Sequence, residues 1–204
     1  RRFAQKGHEY LIEQVQHTGS DTVDPSKTKQ VRLSYNHPVK ELVWCFSNTS
    51  SRSDMWNFTS KTALATDIVL ESNPLDADDL SNCFVPVSAV GTPLYATGVS
   101  TQQYTEEAVG PLSTFKLVLN GQDRFKEQKG KYFNQVQAFN HHSGNPAPGI
   151  YSYSFALKPE EHQPTGTCNF SRIDNAQVAV TMGSTDATTM HMFATNYNVL
   201  RIQS

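Results

Sequence analysis

Four groupings in this sequence carry side chains at spacings that could do chemistry. His141-His142 offers two adjacent imidazoles. Neighbouring side chains on an extended chain point to opposite sides, whereas a metalloenzyme of the cupin kind needs H-x-H on one face. Asp76, Asp78 and Asp79 approach the spacing of a calcium loop, but Leu80 fills the fifth position and the sixth lacks the glycine that the sharp turn demands. Gly130-Lys131 is followed by Tyr132 rather than Ser or Thr, so it is no phosphate-binding loop, and no G-x-S-x-G elbow is present. Asn48-Thr49-Ser50, Asn57-Phe58-Thr59 and Asn169-Phe170-Ser171 match the N-x-S/T acceptor of N-glycosylation, with Asn48 and Asn57 as the candidate sites. The reading is a non-enzyme that uses no cofactor and no metal.

Composition narrows the class further. At 204 residues the chain fits one sandwich-sized domain able to bury a core. Aromatic residues at 10% with charged residues at only 18% favour an all-β surface over a helical bundle. The net charge of −2, with no Lys/Arg run interleaved with aromatics, argues against direct contact with nucleic acid. Charge is uneven along the chain: residues 47–110 carry 2 basic and 8 acidic groups, against 7 and 5 before them and 8 and 6 after. Cys45, Cys83 and Cys168 are odd in number and lack C-x-x-C spacing, which indicates reduced thiols rather than a disulfide framework or zinc site. No apolar run reaches the length of a membrane span and the N-terminus lacks a hydrophobic signal core, so a soluble, non-secreted chain is expected.

The elements that must position these residues read as strands. Residues 9–16 put Tyr10 and Ile12 on one face and Leu11 and Val15 on the other, the pattern of a strand covered on both sides. A polar loop is expected over 18–28. Val31, Leu33 and Tyr35 alternate with polar neighbours, His37-Pro38 marks a bend, and Leu42, Trp44 and Phe46 share a face beyond it. Residues 47–110 form a long polar excursion with short apolar patches. Phe115, Leu117 and Leu119 line a strand that ends in the hairpin dipeptide Asn120-Gly121. Tyr132, Val136 and Phe139 fall at helical spacing, which predicts one stripe of a short helix over 129–139. Tyr151, Tyr153, Phe155 and Leu157 give an aromatic strand face over 150–157, and Ala176, Val178, Val180 and Met182 alternate in the next strand, before a last strand over 190–202.

The corner between those two strands, residues 160–176, is almost free of aliphatic side chains. Pro164-Thr165-Gly166-Thr167 predicts a turn, because proline fixes φ and glycine tolerates positive φ. Ser171-Arg172-Ile173-Asp174 fits a capping pattern that opens a single helical turn, with Arg172 and Asp174 paired locally; Asn169 precedes it. Strand runs without a βαβ rhythm and one edge helix describe an antiparallel sandwich or barrel.

Five blocks then resemble one family in its order: LIEQVQHTG at 11–19, NHPVKELVW at 36–44, LNGQDRF at 119–125, YSFALKPEEHQPTGTCNFSRIDN at 153–175 and NYNVLRI at 196–202. They are similar to the second jelly roll of the double jelly-roll major capsid proteins of nucleocytoplasmic large DNA viruses, the chlorovirus and phycodnavirus group. The resemblance implies an all-β, antiparallel, eight-stranded jelly-roll sandwich spanning 1–204, with 47–110 as an outward-facing insertion. It implies a structural subunit that forms a homotrimer and tiles an icosahedral shell against neighbouring capsomers and minor capsid proteins. Such a protein belongs to the virion capsid and assembles in the host cytoplasm, and glycans on it are expected from the same resemblance. The alternative is a jelly-roll carbohydrate-binding or host-attachment module, with Trp56, Tyr95 and Tyr104 of the insertion stacking on sugars.

Overall fold

The computed structural model describes residues 6–24, 27–47, 58, 70–71, 95–96, 110–147, 149–183 and 188–203. Strand β1 (His8–Val23) is followed by β2 (Thr28–Leu33) and β3 (Pro38–Ser47). Two short strands, β4 (Leu70–Glu71) and β5 (Tyr95–Ala96), pair with each other. Then come β6 (Leu112–Leu119), β7 (Gln122–Asp123) and β8 (Gln128–Lys129), and a π-helical turn (Tyr132–Val136) that runs into helix α1 (Gln137–His141). The chain ends through β9 (Ile150–Ser154), β10 (Cys168–Asn169), a 3-10 turn (Phe170–Arg172), β11 (Ala176–Met182) and β12 (Thr188–Ile202).

These strands form two antiparallel sheets. The first has the order β1-β12-β3, with β9 and β10 side by side along the far edge of β3. The second has the order β2-β11-β6, with β7 and β8 sharing the far edge of β6. Successive long strands alternate between the sheets: β1, β3, β9 and β12 lie in one, and β2, β6 and β11 in the other. That alternation is the jelly-roll winding, and it places the chain's first and last long strands next to each other over nearly their whole length.

The period-2 alternation in the sequence is what the sandwich buries. Val31, Leu33, Leu42, Trp44, Phe46, Phe115, Leu117, Val178, Val180 and Met182 all lie in one core. Trp44 of the first sheet stacks on Phe115 of the second with ring centroids 4.2 Å apart, and Phe133 from the π-helical turn packs edge-on against Phe115 at 5.0 Å. Each such pair adds about 0.5–1.5 kcal/mol beyond the area it buries. The buried Tyr151 hydroxyl accepts from the Leu112 N–H at 3.1 Å, and that of Tyr35 donates to the Met192 carbonyl at 2.8 Å. Burial therefore pushes both phenols upward, Tyr35 to about 12.

Several expectations change. The polar stretch 18–28 is mostly strand: β1 continues to Val23 after a register shift between His17 and Ser20, where Gly19 takes φ 113 and absorbs the irregularity. Helical spacing at Tyr132, Val136 and Phe139 chose the wrong face. Val136 and Phe139 are exposed, Phe139 by 84%, and the buried residues are Phe133, Asn134, Gln137 and Ala138. β9 ends at Ser154, so Tyr151 and Tyr153 extend the strand face inward while Leu157 lies beyond it and is 73% exposed.

The chain resolves into two compact units, Arg1–Ser60 with Val109–Ser204, and Lys61–Ala108. Asn48, Asn57, Trp56, Tyr104 and the Asp76, Asp78, Asp79 group lie outside the described residues, as do Cys83 and the side chain of Tyr95.

Candidate assembly surface

The corner is built differently from its sequence pattern. The chain reverses at residues 158–161, where the Glu161 N–H donates to the Lys158 carbonyl at 3.3 Å, and Pro164 to Thr167 then run extended into β10. Gly166 takes φ 147, and a Cβ there would meet the Phe155 carbonyl oxygen at 2.7 Å. Only glycine fits both the dihedral and the space. The helical turn is capped by Asn169, whose Oδ1 accepts from the Ser171 N–H at 3.1 Å. Ser171 lies inside the turn and reaches elsewhere, its Oγ accepting from the His37 N–H at 2.8 Å.

The Phe170 N–H donates to the His37 carbonyl at 3.1 Å, so the corner holds both backbone groups of a residue at φ 67. Left-handed backbone is uncommon outside glycine, and two hydrogen bonds from one corner explain how it persists here. At the other end of the corner Asn175 exchanges two hydrogen bonds with Asn120, the first residue of the Asn120-Gly121 hairpin, where φ is 50 and then 80. Arg172 and Asp174 are exposed, and no ion pair joins them among the described residues. The corner thus ties the bend before β3 to the β6–β7 hairpin.

Polar residues that sequence reading passed over sit beside the aromatic strand. Gln137 Oε1 accepts from the Ser154 N–H at 3.1 Å, and Asn134 Nδ2 donates to the Ile150 carbonyl at 2.7 Å. Both amides are buried, and both address the edge of β9 that no strand covers. A buried sheet edge must have its backbone groups paired, and here side-chain amides one helical turn apart do it. The i, i+3 spacing of Asn134 and Gln137 was a readable signal, but amides usually mark the solvent side of a helix.

The opposite edge is open. β12 pairs with β3 only from Thr189 to Asn196, whereas β1 and β12 continue together to the His8–Ile202 pair. Beyond β3 they form a two-stranded ribbon. Tyr10 faces Leu200 and Leu11 faces Val199 across it, so apolar side chains stand on both faces. Tyr10, Leu11, Val15, Val199, Leu200 and Ile202 are exposed, Val15 by 67%. The two-sided apolar pattern was legible, but the expected cover is not supplied by the described residues. A long apolar edge strand of this kind is a surface built for contact or a liability to association.

A sandwich with one edge capped by side-chain amides and an apolar overhang at the other has the form of a building block. The whole chain, residues 1–204, matches the family described as large eukaryotic DNA virus major capsid protein. It belongs to that family. The major capsid protein of Paramecium bursaria Chlorella virus 1 is 40% identical across the full chain, and that of Phaeocystis pouchetii virus 38%. In each case the chain spans 48% of the relative's length. Among solved structures, a quasi-atomic model of the PBCV-1 virus capsid superposes with a TM-score of 0.69 at 36% identity, covering all of this chain and 51% of that one. These relatives are capsid proteins, not enzymes.

Proposed function

We propose that this chain is one jelly roll, the second of two, of a shell-forming subunit. In this reading the subunit trimerises so that six jelly rolls make a pseudo-hexagonal capsomer, and capsomers tile an icosahedral shell with minor capsid proteins. The virion capsid is then its location. The observation that carries the reading is that the chain matches relatives in sequence and in fold from end to end, yet spans only about half of each. The ribbon with two apolar faces supports it, since a surface of that kind requires a neighbour. Rigid ladders keep the shape of such a tile while edges and loops supply repeated lateral contacts. The net charge of −2 agrees with a shell element that does not grip nucleic acid.

Sedimentation of two proteins tests this: the 204-residue chain, and a subunit bearing both jelly rolls. The two-roll subunit is expected as a discrete trimer and the single roll as monomer or aggregate. A stable trimer of the single roll would end the half-subunit reading, and a strictly monomeric two-roll subunit would end the capsomer reading.

A further inference from the structure

A chain of ionisable groups that the shell reading does not use crosses one end of the sandwich. Glu41 of β3 is nearly buried, with its side chain 9% exposed, and its Oε1 lies 2.5 Å from His142 Nε2, just past helix α1. On the far side of the same ring, Nδ1 faces Glu160 Oε1 at 3.4 Å. Both Glu160 oxygens also accept from the Ser143 N–H at 3.1 Å. Next to Glu41, the buried Lys40 ammonium pairs with Glu13 of β1 at 2.8 Å, and His162 Nδ1 stands 3.5 Å from that same Glu13 oxygen. Lys158 and Glu161 pair with each other at 3.0 Å, and His141 Nδ1 lies 3.1 Å from the Leu157 carbonyl. With Tyr197 of β12, whose ring centroid lies 5.4 Å from the Lys40 ammonium, these are the charged and titratable groups that β1, β3, β12 and the loops after α1 and β9 gather around this end among the described residues.

We propose that His142 is a pH-gated clasp, whose imidazolium form bridges Glu41 of the sheet to Glu160 of the 155–163 loop and whose neutral form releases that loop. The ring chemistry carries the argument. Only the imidazolium can donate from both nitrogens; a neutral ring must turn one lone pair toward a carboxylate. The Glu41 contact is the buried one, where an unpaired charge costs most. In this proposal the single N–H of a neutral ring stays on the buried Glu41 side, and the exposed Glu160 side gives way.

The two carboxyls are shifted in opposite directions. Burial pushes Glu41 above the ordinary glutamate range, with the His142 charge and then Lys40 opposing it. A raised carboxyl contributes stability that is present at low pH and lost as pH rises through its own folded value. Glu160 is held below the ordinary range, first by the Ser143 N–H and then by the His142 ring, so it stays ionised into weak acid.

Hydrogen-exchange mass spectrometry on the full-length protein, at pH 6 and pH 8 and corrected for intrinsic exchange, reads this directly. The reporting amides are those of Ser143, which donates to Glu160, of Lys158, which donates to Thr165, and of Glu161, which donates to the Lys158 carbonyl, with β11 as the internal reference. In the wild type, their protection relative to β11 is expected to fall roughly two- to fivefold between those pH values, the range of an exposed ion pair. His142→Gln, which cannot titrate, should remove that pH response, and so should Glu160→Gln. Glu160 is largely in solvent, so its variant carries the test if His142→Gln fails to fold. A flat wild type overturns the proposal, as does either folded variant that keeps the wild-type response. None of these outcomes depends on whether the subunit builds a shell.

Discussion

At the scale of single residues, the corner shows how one backbone requirement propagates. Gly166 combines φ 147 with a Cβ position 2.7 Å from the Phe155 carbonyl oxygen, an atom that belongs to backbone and cannot swing away. Gly166→Val is expected to lower stability by about 1–3 kcal/mol from the dihedral alone, with the steric contact adding to it. Thermal unfolding beside the wild type measures this, and an unchanged midpoint would mean that the corner relaxes freely. The need for glycine was legible, because a Pro-Thr-Gly-Thr string limits what the chain can do. The location of the reversal was not. Lys158-Pro159-Glu160-Glu161 turns because Glu160 finds the Ser143 N–H and the His142 ring, both remote in sequence. Ser171 was misread for the same reason: its hydroxyl satisfies His37, 134 residues away, and leaves the local cap to Asn169. Local patterns report local satisfaction, and a side chain that bonds across the fold has no local signature.

At the scale of elements, strands with one buried face were readable and edges were not. β11 alternates buried and half-buried residues along its whole length because β2 and β6 flank it on both sides and the core lies under one face. The short helical segment misled because its buried face is half polar. Phe133 and Ala138 pack inward while Asn134 and Gln137 serve the open edge of β9, so an apolar-only search lands on Val136 and Phe139 instead. Gln137→Ala would leave the Ser154 N–H buried without an acceptor and is expected to cost about 1–3 kcal/mol. Gln137→Glu keeps the acceptor and should recover part of that loss. Urea denaturation of the three proteins decides it. Equal midpoints for wild type and Gln137→Ala would show that water can reach and satisfy that edge.

At the scale of the whole molecule, the two ends of β3 and β6 differ in what they meet. β3 ends at Ser47, paired with Thr189 in one sheet, and β6 begins at Leu112, paired with Met182 in the other. The corner contacts His37 and Asn120, at the other ends of those same strands. We expect a sandwich used as a shell tile to present residues 47–110 outward. Composition points the same way, since 8 acidic and only 2 basic groups fall within residues 47–110. An acidic, polar segment is poorly suited to an apolar lateral contact and well suited to an outer surface. Limited proteolysis of intact particles should accordingly cut first within 47–110, while sites in β11 and β12 stay protected until the particle is disrupted. Mass spectrometry of the released peptides over time makes the order measurable. If 47–110 is fully protected in the particle and opens only on disassembly, the excursion lies between subunits or inside the shell, and the outward orientation proposed for this chain is wrong.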